Sequence, residues 1–183
     1  MFNFYGRSAK FRKDLALFWE RLYRVSYAYC RDPQVAADLV QGTLEAALNN
    51  KHKISDYEYL EKWLFRVLVN RWRDYCRTRK YHEDIGGLHL VQHETPESHS
   101  ELEETVEQVL TAMGRLKEEH REVLSLIAIE GFSYSQVASI LDLPMGTVMS
   151  RLCRSRQYLR EYLASPDQLQ NRRGAKAKVR GIK

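Results

Sequence analysis

Residues 131–156 constrain the fold most, because their pattern predicts two short helices joined by a tight turn. Ser133 and Gln136 have the spacing of a capping box, which places the start of the first helix near Tyr134. Pro144 then favours a new start, since proline is tolerated in a first helical turn. The packed side of the first helix repeats at three and four residues and comprises Val137, Ile140 and Leu141. The segment is therefore predicted to form a helix-turn-helix.

The second helix of this motif divides into a packed side and a free side. The packed side comprises Val148, Leu152 and Leu159. The free side, called the reading face below, comprises Met149, Ser150, Arg151, Cys153 and Arg154. An α-helix fits the major groove of DNA, where arginine bonds to guanine and a methyl or thiol group contacts thymine. The alternative is an ordinary helical hairpin with a solvated basic face, which capping box, turn and charge together disfavour.

Composition favours an all-α chain with real cores. The 183 residues are 44% hydrophobic and include only 9 glycines and 4 prolines, and a helical period dominates the apolar pattern. The three cysteines, Cys30, Cys76 and Cys153, are too far apart for a zinc site and too few for a disulfide framework. The N-terminus lacks the apolar core of a signal peptide, and no apolar run is long enough to span a bilayer. We expect a cytoplasmic protein with no cofactor, metal, small-molecule substrate or membrane insertion.

Charge and turn residues divide the chain into four parts. Residues 1–81 carry 16 Lys and Arg against 9 Asp and Glu, and the net charge of the whole chain is +5. Residues 82–107 carry 8 acids and no Lys or Arg, and turn formers in this strip predict a flexible acidic linker over 82–100. A second helical domain is predicted over 101–164 and a basic disordered tail over 165–183. The linker histidines, His82, His89, His93 and His99, are not interpreted as a metal site, because nothing there would hold them at fixed geometry.

Residues 60–81 predict one long helix with two opposed faces. Its apolar face comprises Leu60, Leu64, Leu68, Trp72, Tyr75 and Cys76. Its opposite face, called the cationic row below, comprises Lys62, Arg66, Asn70, Arg73, Arg77 and Lys80. Like charges aligned on one helix face repel each other, so the cationic row requires a counter-anion, which a nucleic-acid backbone supplies. A plain solvated helix face is the alternative, and Trp63 and Trp72 are assigned to packing first.

Two further features precede this helix. A polar loop before it carries Tyr57 and Tyr59, whose rings suit contact with unstacked bases, although packing is as common a fate for tyrosine. Upstream, Asp32 and Pro33 predict an N-cap and first turn of a helix that ends at Asn49. Its packed side comprises Ala36, Leu39, Val40, Thr43 and Ala47. Its opposite, acidic edge comprises Asp38, Gln41 and Glu45, and such an edge either faces water or docks a basic protein surface.

In this order, the features resemble the extracytoplasmic-function (group IV) branch of the sigma-70 family of bacterial RNA polymerase initiation factors. The resemblance covers about residues 20–164. The matching segments are DLVQGTLEAALNN, similar to the polymerase-binding helix, KWLFRVLVNRWRDYCRTRK, similar to the minus-10 helix, and LKEEHREVLSLIAIEGFSYSQVASILDLPMGTVMSRLCRSR, similar to the minus-35 domain. The resemblance implies that 1–81 is sigma domain 2 and 101–164 is sigma domain 4.

The resemblance also implies roles for individual residues. The residues implied to contact the clamp of the largest polymerase subunit are Asp38, Leu39, Gln41 and Leu44. At the minus-10 element, Asn70 and the loop before Trp63 are implied to hold a flipped base. The residues implied to contact the DNA backbone there are Lys62, Arg66, Arg73 and Arg77. Those implied to bind the minus-35 element are Met149, Ser150, Cys153 and Arg154 for bases and Arg151 and Arg156 for phosphates. The flap of the second-largest subunit and an anti-sigma factor, which would also hold the chain near the membrane, complete the implied partners.

The sequence departs from the family pattern at three positions. Gly42 stands where an acidic residue is usual, Lys117 where proline is usual, and Met149 where a basic residue is frequent. Gly42 is expected to weaken its helix by about 1 kcal/mol and to remove a polymerase contact.

The predicted function is that of a non-enzymatic sigma factor, which binds core polymerase and directs initiation at specific promoters. The alternative is a stand-alone helix-turn-helix regulator that does not need polymerase. A nucleic-acid-processing enzyme ranks lower, because the sequence lacks a phosphate-binding loop and a nucleophile motif. The acidic linker is also expected to shield the cationic row when the chain is free of polymerase.

Overall fold

Seven helices and no strand make up the described parts of the chain. A computed structural model describes residues 3–51, 56–86 and 101–165, with side chains for 11–51, 56–79 and 105–165. The helices are α1 Asn3–Cys30, α2 Pro33–Asn49, α3 Tyr57–Gly86, α4 Glu101–Gly114, α5 Glu118–Ala128, α6 Tyr134–Leu141 and α7 Met145–Leu163. The all-α prediction is confirmed. Helices α1–α3 are called the N-terminal block below, and α4–α7 the C-terminal block.

The N-terminal block is a bundle in which α1 packs on α2 and α3, and α2 packs on α3. The apolar face predicted for α3 is turned into this bundle. Its buried members are Leu60, Leu64, Leu68, Trp72 and Cys76, and Tyr75 is half-buried. Trp72 stacks on Tyr29 of α1 with ring centroids 5.6 Å apart. Burial of this face leaves the cationic row as the outer side of α3.

Helix α2 begins and ends as predicted. The Asp32 carboxylate accepts hydrogen bonds from the backbone N–H groups of Gln34 (2.8 Å) and Val35 (3.0 Å), and Pro33 occupies the first turn. These bonds pair two of the amide groups that a helix start otherwise leaves unpaired. The five residues predicted to pack are all buried. The acidic edge of α2 therefore faces outward.

The structure explains why glycine is present at position 42, which the sequence pattern does not. It is buried, and a Cβ placed there would lie 2.7 Å from the guanidinium carbon of Arg71 on α3. The missing side chain thus makes room for a cation from the neighbouring helix. A side chain at this position would therefore require the Arg71 guanidinium to move.

The helix-turn-helix forms as predicted from its capping box. The Ser133 hydroxyl accepts from Gln136 N at 3.3 Å, and the Gln136 side chain accepts from Ser133 N at 2.9 Å. Helix α6 ends at Leu141; its C-cap, Asp142, has a left-handed backbone with φ 54°, and Pro144 is the N-cap of α7. Helix α5 ends at Ala128, and Gly131, with φ 74°, lies in the turn that leads from α5 to α6.

Two predictions around α3 are wrong in their boundaries. Tyr57 and Tyr59 lie in the first turn of α3 and not in a loop, although both remain about half exposed. The Tyr57 ring packs on Phe18 with centroids 5.1 Å apart. At its other end α3 continues to Gly86, five residues into the segment that the sequence assigned to the linker. The rest of that linker (87–100), the side chains of its histidines and most of the tail (166–183) lie outside the described residues.

The two blocks pack against each other, which the sequence did not predict. Helix α1 contacts α4 and α5, and α3 contacts α6. Phe65 of α3 meets Phe132 of the C-terminal block edge to face, with centroids 4.9 Å apart. Arg121 of α5 donates hydrogen bonds to the carbonyl oxygens of Tyr29 at the end of α1 and of Gly114 at the end of α4. A continuous apolar core therefore runs through both blocks.

Replacing Ser133 by alanine should lower the free energy of unfolding by about 1 kcal/mol, because α6 loses its capping hydroxyl. Urea denaturation followed by circular dichroism measures this change. Ser139→Ala is the control, since it removes an exposed hydroxyl from the same helix away from its start. An equal loss in both variants would contradict the capping explanation.

Candidate nucleic-acid interface

The reading face of α7 lies on the surface, as its pattern predicts. Val148 and Leu152 are buried and hold the helix in place. Met149 is 52% exposed, and Ser150, Cys153 and Arg154 are exposed beside it. The Ser150 hydroxyl donates to Thr147 O at 3.0 Å. The exposed side chains provide a flexible cation, a thioether and a thiol, which suit the edges of bases in a major groove.

Two other cations predicted on α7 differ in their surroundings. Arg156 is exposed, as a contact to phosphates requires. Arg151 is only partly exposed, and its Nη2 lies 2.7 Å from Glu119 Oε2 on α5. Arg151 therefore ties α7 to α5 within the C-terminal block, and a phosphate would have to compete with that carboxylate.

A groove of about 450 Å³ runs beside the reading face. Its lining includes Tyr134, Met149, Leu152, Cys153 and Arg156. Two arginines, Arg156 and Arg160, and one carboxylate, Glu161, thus line the groove together with apolar side chains, next to the predicted base contacts.

The cationic row of α3 is paired along its described length. Lys62 Nζ lies 2.8 Å from Glu58 Oε1, and Arg77 pairs with Asp74 one turn before it. Arg73 bonds Glu122 of α5 through two parallel contacts, Nε to Oε1 at 2.8 Å and Nη2 to Oε2 at 2.7 Å. The side chain of Lys80 lies outside the described residues.

Arg66 reaches the C-terminal block as well. It donates to the backbone carbonyl oxygens of Ser139 and Ile140, the latter at 3.3 Å from Nε. In this structure, protein carboxylates and backbone carbonyl oxygens accept from the cations of the row. The linker acids predicted for this role lie mostly outside the described residues, and the carboxylate on Arg73 comes from α5 instead.

Asn70, the amide of the cationic row, is exposed at the mouth of a cleft between the blocks. The cleft has a volume of about 680 Å³. Arg66, Asn70 and Arg73 form one wall. Glu118, Glu119 and Asp142 belong to the other. Three residues predicted for minus-10 contacts, Arg66, Asn70 and Arg73, thus line one cleft. Carboxylates of the same chain line the other side of it.

Sequence reasoning missed Glu122, which has a side chain only 2% exposed. The signal was present, because Glu122 precedes Leu126 by four residues and so lies on the packed side of α5. A carboxylate on a packed side requires a cationic partner. Its partner, Arg73, is 49 residues away along the chain, and no local pattern links the two.

The predicted polymerase edge on α2 is exposed only in part. Asp38 and Gln41 are exposed, and Gln41 Nε2 donates to Glu45 Oε1 at 2.9 Å. Leu44 is half-buried. Leu39, also predicted to contact polymerase, is 7% exposed and lies in the core, because α2 turns this side toward α1 and α3. Leu39 therefore packs beneath the acidic edge and is not available on the surface as a polymerase contact.

Lys117, where the family usually has proline, is the N-cap of α5 and has no side-chain capping bond. Its φ of −56° is also the value that proline imposes. The local backbone is thus the one that proline would favour, and lysine adopts it without a change of geometry.

Burial alters the chemistry of several groups near the block interface. It raises the pKa of the Cys30 thiol to about 11, and it raises the pKa of the fully buried Tyr29 hydroxyl well above its usual value. Hydrogen bonding to Glu122 raises the pKa of Arg73. Within the described ranges no group of three or more His, Cys, Asp or Glu side chains could hold a metal ion, and no helix is long and apolar enough to cross a membrane.

Comparison with known proteins identifies both blocks. The family model for Sigma-70 region 2 matches residues 19–81, and the model for Sigma-70, region 4 matches residues 106–159. The ECF RNA polymerase sigma factor EcfG of Rhodopseudomonas palustris (strain TIE-1) is 37% identical over 128 residues, which cover 68% of each chain. The ECF RNA polymerase sigma factor SigM of Bacillus subtilis (strain 168) is 29% identical over 150 residues, covering 79% of this chain and 89% of SigM.

Two solved structures share the fold. The sigma factor RpoE from Bartonella quintana, in complex with the anti-sigma factor NepR, has a TM-score of 0.72 and 28% identity, covering 86% of this chain and 98% of that one. CnrH, in complex with the cytosolic domain of CnrY, has a TM-score of 0.62 and 25% identity, covering 84% and 86%. The structural similarity to RpoE, the higher of the two, thus extends over both blocks.

A three-helix block followed by a block with an exposed helix-turn-helix is the architecture of sigma-70 proteins. The chain belongs to the extracytoplasmic-function sigma factors of the sigma-70 family. It is an RNA polymerase sigma factor, and a stand-alone regulator is not favoured, because region 2 is matched as well as region 4.

Iodoacetamide at pH 8 should label Cys153 first, because this thiol is exposed on α7. Cys76 is buried, and a pKa of about 11 leaves only about one Cys30 thiol in a thousand ionised at this pH. Mass spectrometry of peptides after brief labelling gives the order. Faster labelling of Cys30 or Cys76 than of Cys153 would contradict the described packing.

Proposed function

We propose that the chain binds core RNA polymerase through the outer edge of α2 and recognises two promoter elements through α3 and α7. The reading face of α7 carries this proposal, because it combines a buried packed side with exposed Met149, Cys153 and Arg154. Helix α3 adds the minus-10 contacts, and the assignment gives the chain no catalytic step.

Polymerase binding is assigned to Asp38 and Gln41, with Leu44 at the margin. The two polar side chains lie about one turn apart on the exposed side of a helix held by its N-cap and its packed side. Their neighbour Glu45 adds a second carboxylate to the same edge. An acidic, rigid edge suits a basic surface of the clamp in the largest subunit. The flap of the second-largest subunit is assigned to the C-terminal block without a particular residue.

The minus-35 contacts are divided by chemistry. Arg154 is assigned to a base edge, since an exposed arginine in the middle of a recognition helix can bond to guanine through two donors. Met149, Ser150 and Cys153 accompany it. Arg156 and Arg151 are assigned to phosphates, which position the helix and do not select the sequence.

The minus-10 contacts centre on Asn70. Its amide can donate and accept hydrogen bonds, as capture of an unstacked base requires. Lys62, Arg66, Arg73 and Arg77 on the same side of α3 are assigned to the backbone of the strand that carries this base. Tyr59, about half exposed at the start of α3, supplies a ring near this path.

An anti-sigma factor is the third proposed partner, since the similar sigma factor RpoE forms a complex with the anti-sigma factor NepR. Polymerase and promoter place the action of the chain in the cytoplasm. An anti-sigma partner anchored in the membrane would hold the inactive chain close to it.

Arg154→Ala should reduce discrimination of the minus-35 element by about 1 to 3 kcal/mol, because one base loses its bonds. Promoters first have to be found by transcribing a genomic library with reconstituted holoenzyme. Competition between the best promoter and single-base variants then measures discrimination. Arg160→Ala removes an exposed cation from the same helix and should leave discrimination unchanged. An equal loss on every sequence would instead make Arg154 a phosphate contact.

Asn70→Ala should comigrate with core polymerase on a sizing column as the parent chain does, yet open promoters more slowly. The reason is that Asn70 is assigned to the unpaired base and not to the polymerase edge. Permanganate reactivity of unpaired thymines follows opening. Failure of the parent chain to comigrate would overturn the sigma-factor assignment, and unaltered opening by the variant would overturn the role of Asn70.

A further inference from the structure

The contact between Arg73 and Glu122 has the geometry of an arginine bound to a phosphate. The guanidinium uses Nε and Nη2 on the two carboxylate oxygens, at 2.8 and 2.7 Å. Planar, two-point bonding of this kind is how arginine binds both carboxylates and phosphates. Glu122 belongs to the C-terminal block and Arg73 to the row assigned to DNA. A protein carboxylate thus occupies the position that a strand backbone would take.

Arg66, two turns earlier on α3, has the same kind of partner. It bonds the carbonyl oxygens of Ser139 and Ile140 in the last turn of α6. Carbonyls at the C-terminal end of a helix carry the negative end of its dipole. Two acceptors from the C-terminal block therefore take the place of phosphate oxygens at this cation.

Asn70 lies between these two contacts along α3 and lines the cleft that the blocks enclose. The opposite wall carries Glu118, Glu119 and Asp142, and also Arg151, which pairs with Glu119. A nucleic-acid strand that approached Asn70 would therefore have to enter a cleft that the C-terminal block walls on one side.

We propose that the C-terminal block is an intramolecular competitor of promoter DNA for Arg66, Asn70 and Arg73. The free chain is closed, and the minus-10 surface becomes available only when the blocks separate. The reading face of α7 is not covered by this contact. The inference rests on the proposed function, because it assigns a regulation to the same minus-10 surface.

Part of the interface between the blocks is polar, although the apolar core also crosses it. Glu130 pairs with Arg21 at 2.8 Å and with Arg24 at 3.3 Å across the blocks, and its side chain is almost completely buried. Water solvates such ions well once the blocks part. Near this boundary, the Tyr29 hydroxyl and Trp72 Nε1 are buried without a hydrogen-bond partner from the described protein, which costs stability in the closed chain. Only Phe65 and Phe132 form an aromatic pair across this boundary among the described rings.

Glu122→Gln tests the proposal in the full chain without polymerase. Loss of the charge weakens the bond to Arg73 and should shift the population toward the open form. Small-angle X-ray scattering should then give a larger radius of gyration. Fluorescence anisotropy with a short single-stranded oligonucleotide of mixed sequence at low salt should show about tenfold tighter binding, because the competent fraction rises.

The control for the radius of gyration is Glu119→Gln, which makes the same change of charge on the same helix and in the same cleft; it does not serve as a control for DNA binding, because it frees Arg151, which is assigned to phosphates. Glu119 pairs with Arg151 inside the C-terminal block, so its loss should leave the radius unchanged. Glu130→Gln is the second test, since it removes a carboxylate from the interface away from Arg73 and should also expand the chain and tighten binding. Circular dichroism shows whether each variant keeps its helices, and this second site keeps the proposal testable if Glu122→Gln does not fold.

The charge swap Arg73→Glu with Glu122→Arg completes the design. It should restore the parent radius while DNA binding stays weak. An unchanged radius in both Glu122→Gln and Glu130→Gln would overturn the proposal, as would expansion with no gain in DNA binding. Comigration with core polymerase is measured separately, so that failure of the sigma-factor assignment is distinguishable from failure of the closed state.

Discussion

Helix α3 is the constraint on which the rest of the structure depends, because it serves both blocks at once. Its apolar face supplies Leu64, Leu68 and Trp72 to the N-terminal core. Its opposite face meets Glu122 and the last turn of α6. The arginines that would bind DNA phosphates are thus the same side chains that hold the C-terminal block. Folding and recognition compete for one row of cations.

The two surfaces proposed to bind DNA, the reading face of α7 and the cationic row of α3, therefore differ in how accessible they are. The reading face of α7 is exposed in the closed chain, apart from Arg151, which pairs with Glu119 and lines the cleft between the blocks. The cationic row is partly covered, and each of its described cations has an acceptor. A chain with this arrangement presents the surface proposed for the minus-35 element at once, and the surface proposed for the minus-10 element only after a rearrangement.

Local signals predicted local structure well, and distant contacts less so. The Ser133 capping box and the Asp32 cap were correct, because each depends on atoms within three residues. The apolar stripe of α3 was correct for the same reason, since helical period determines its side. The ends of α3 were misplaced, because helices continue or stop according to packing as well as turn formers. The block interface was not predicted, because no local sequence pattern relates Arg73 to Glu122.

Arg121 sits where the carboxyl-terminal ends of α1 and α4 converge, and its guanidinium also lies over the Trp72 ring, 5.9 Å from the centroid. Helix ends of this polarity repel each other in a medium of low polarity. One planar cation converts that repulsion into attraction and bridges both blocks. A neutral side chain at this position would leave two negative dipole ends face to face, so the very docking of the blocks depends on a residue that contacts neither DNA surface.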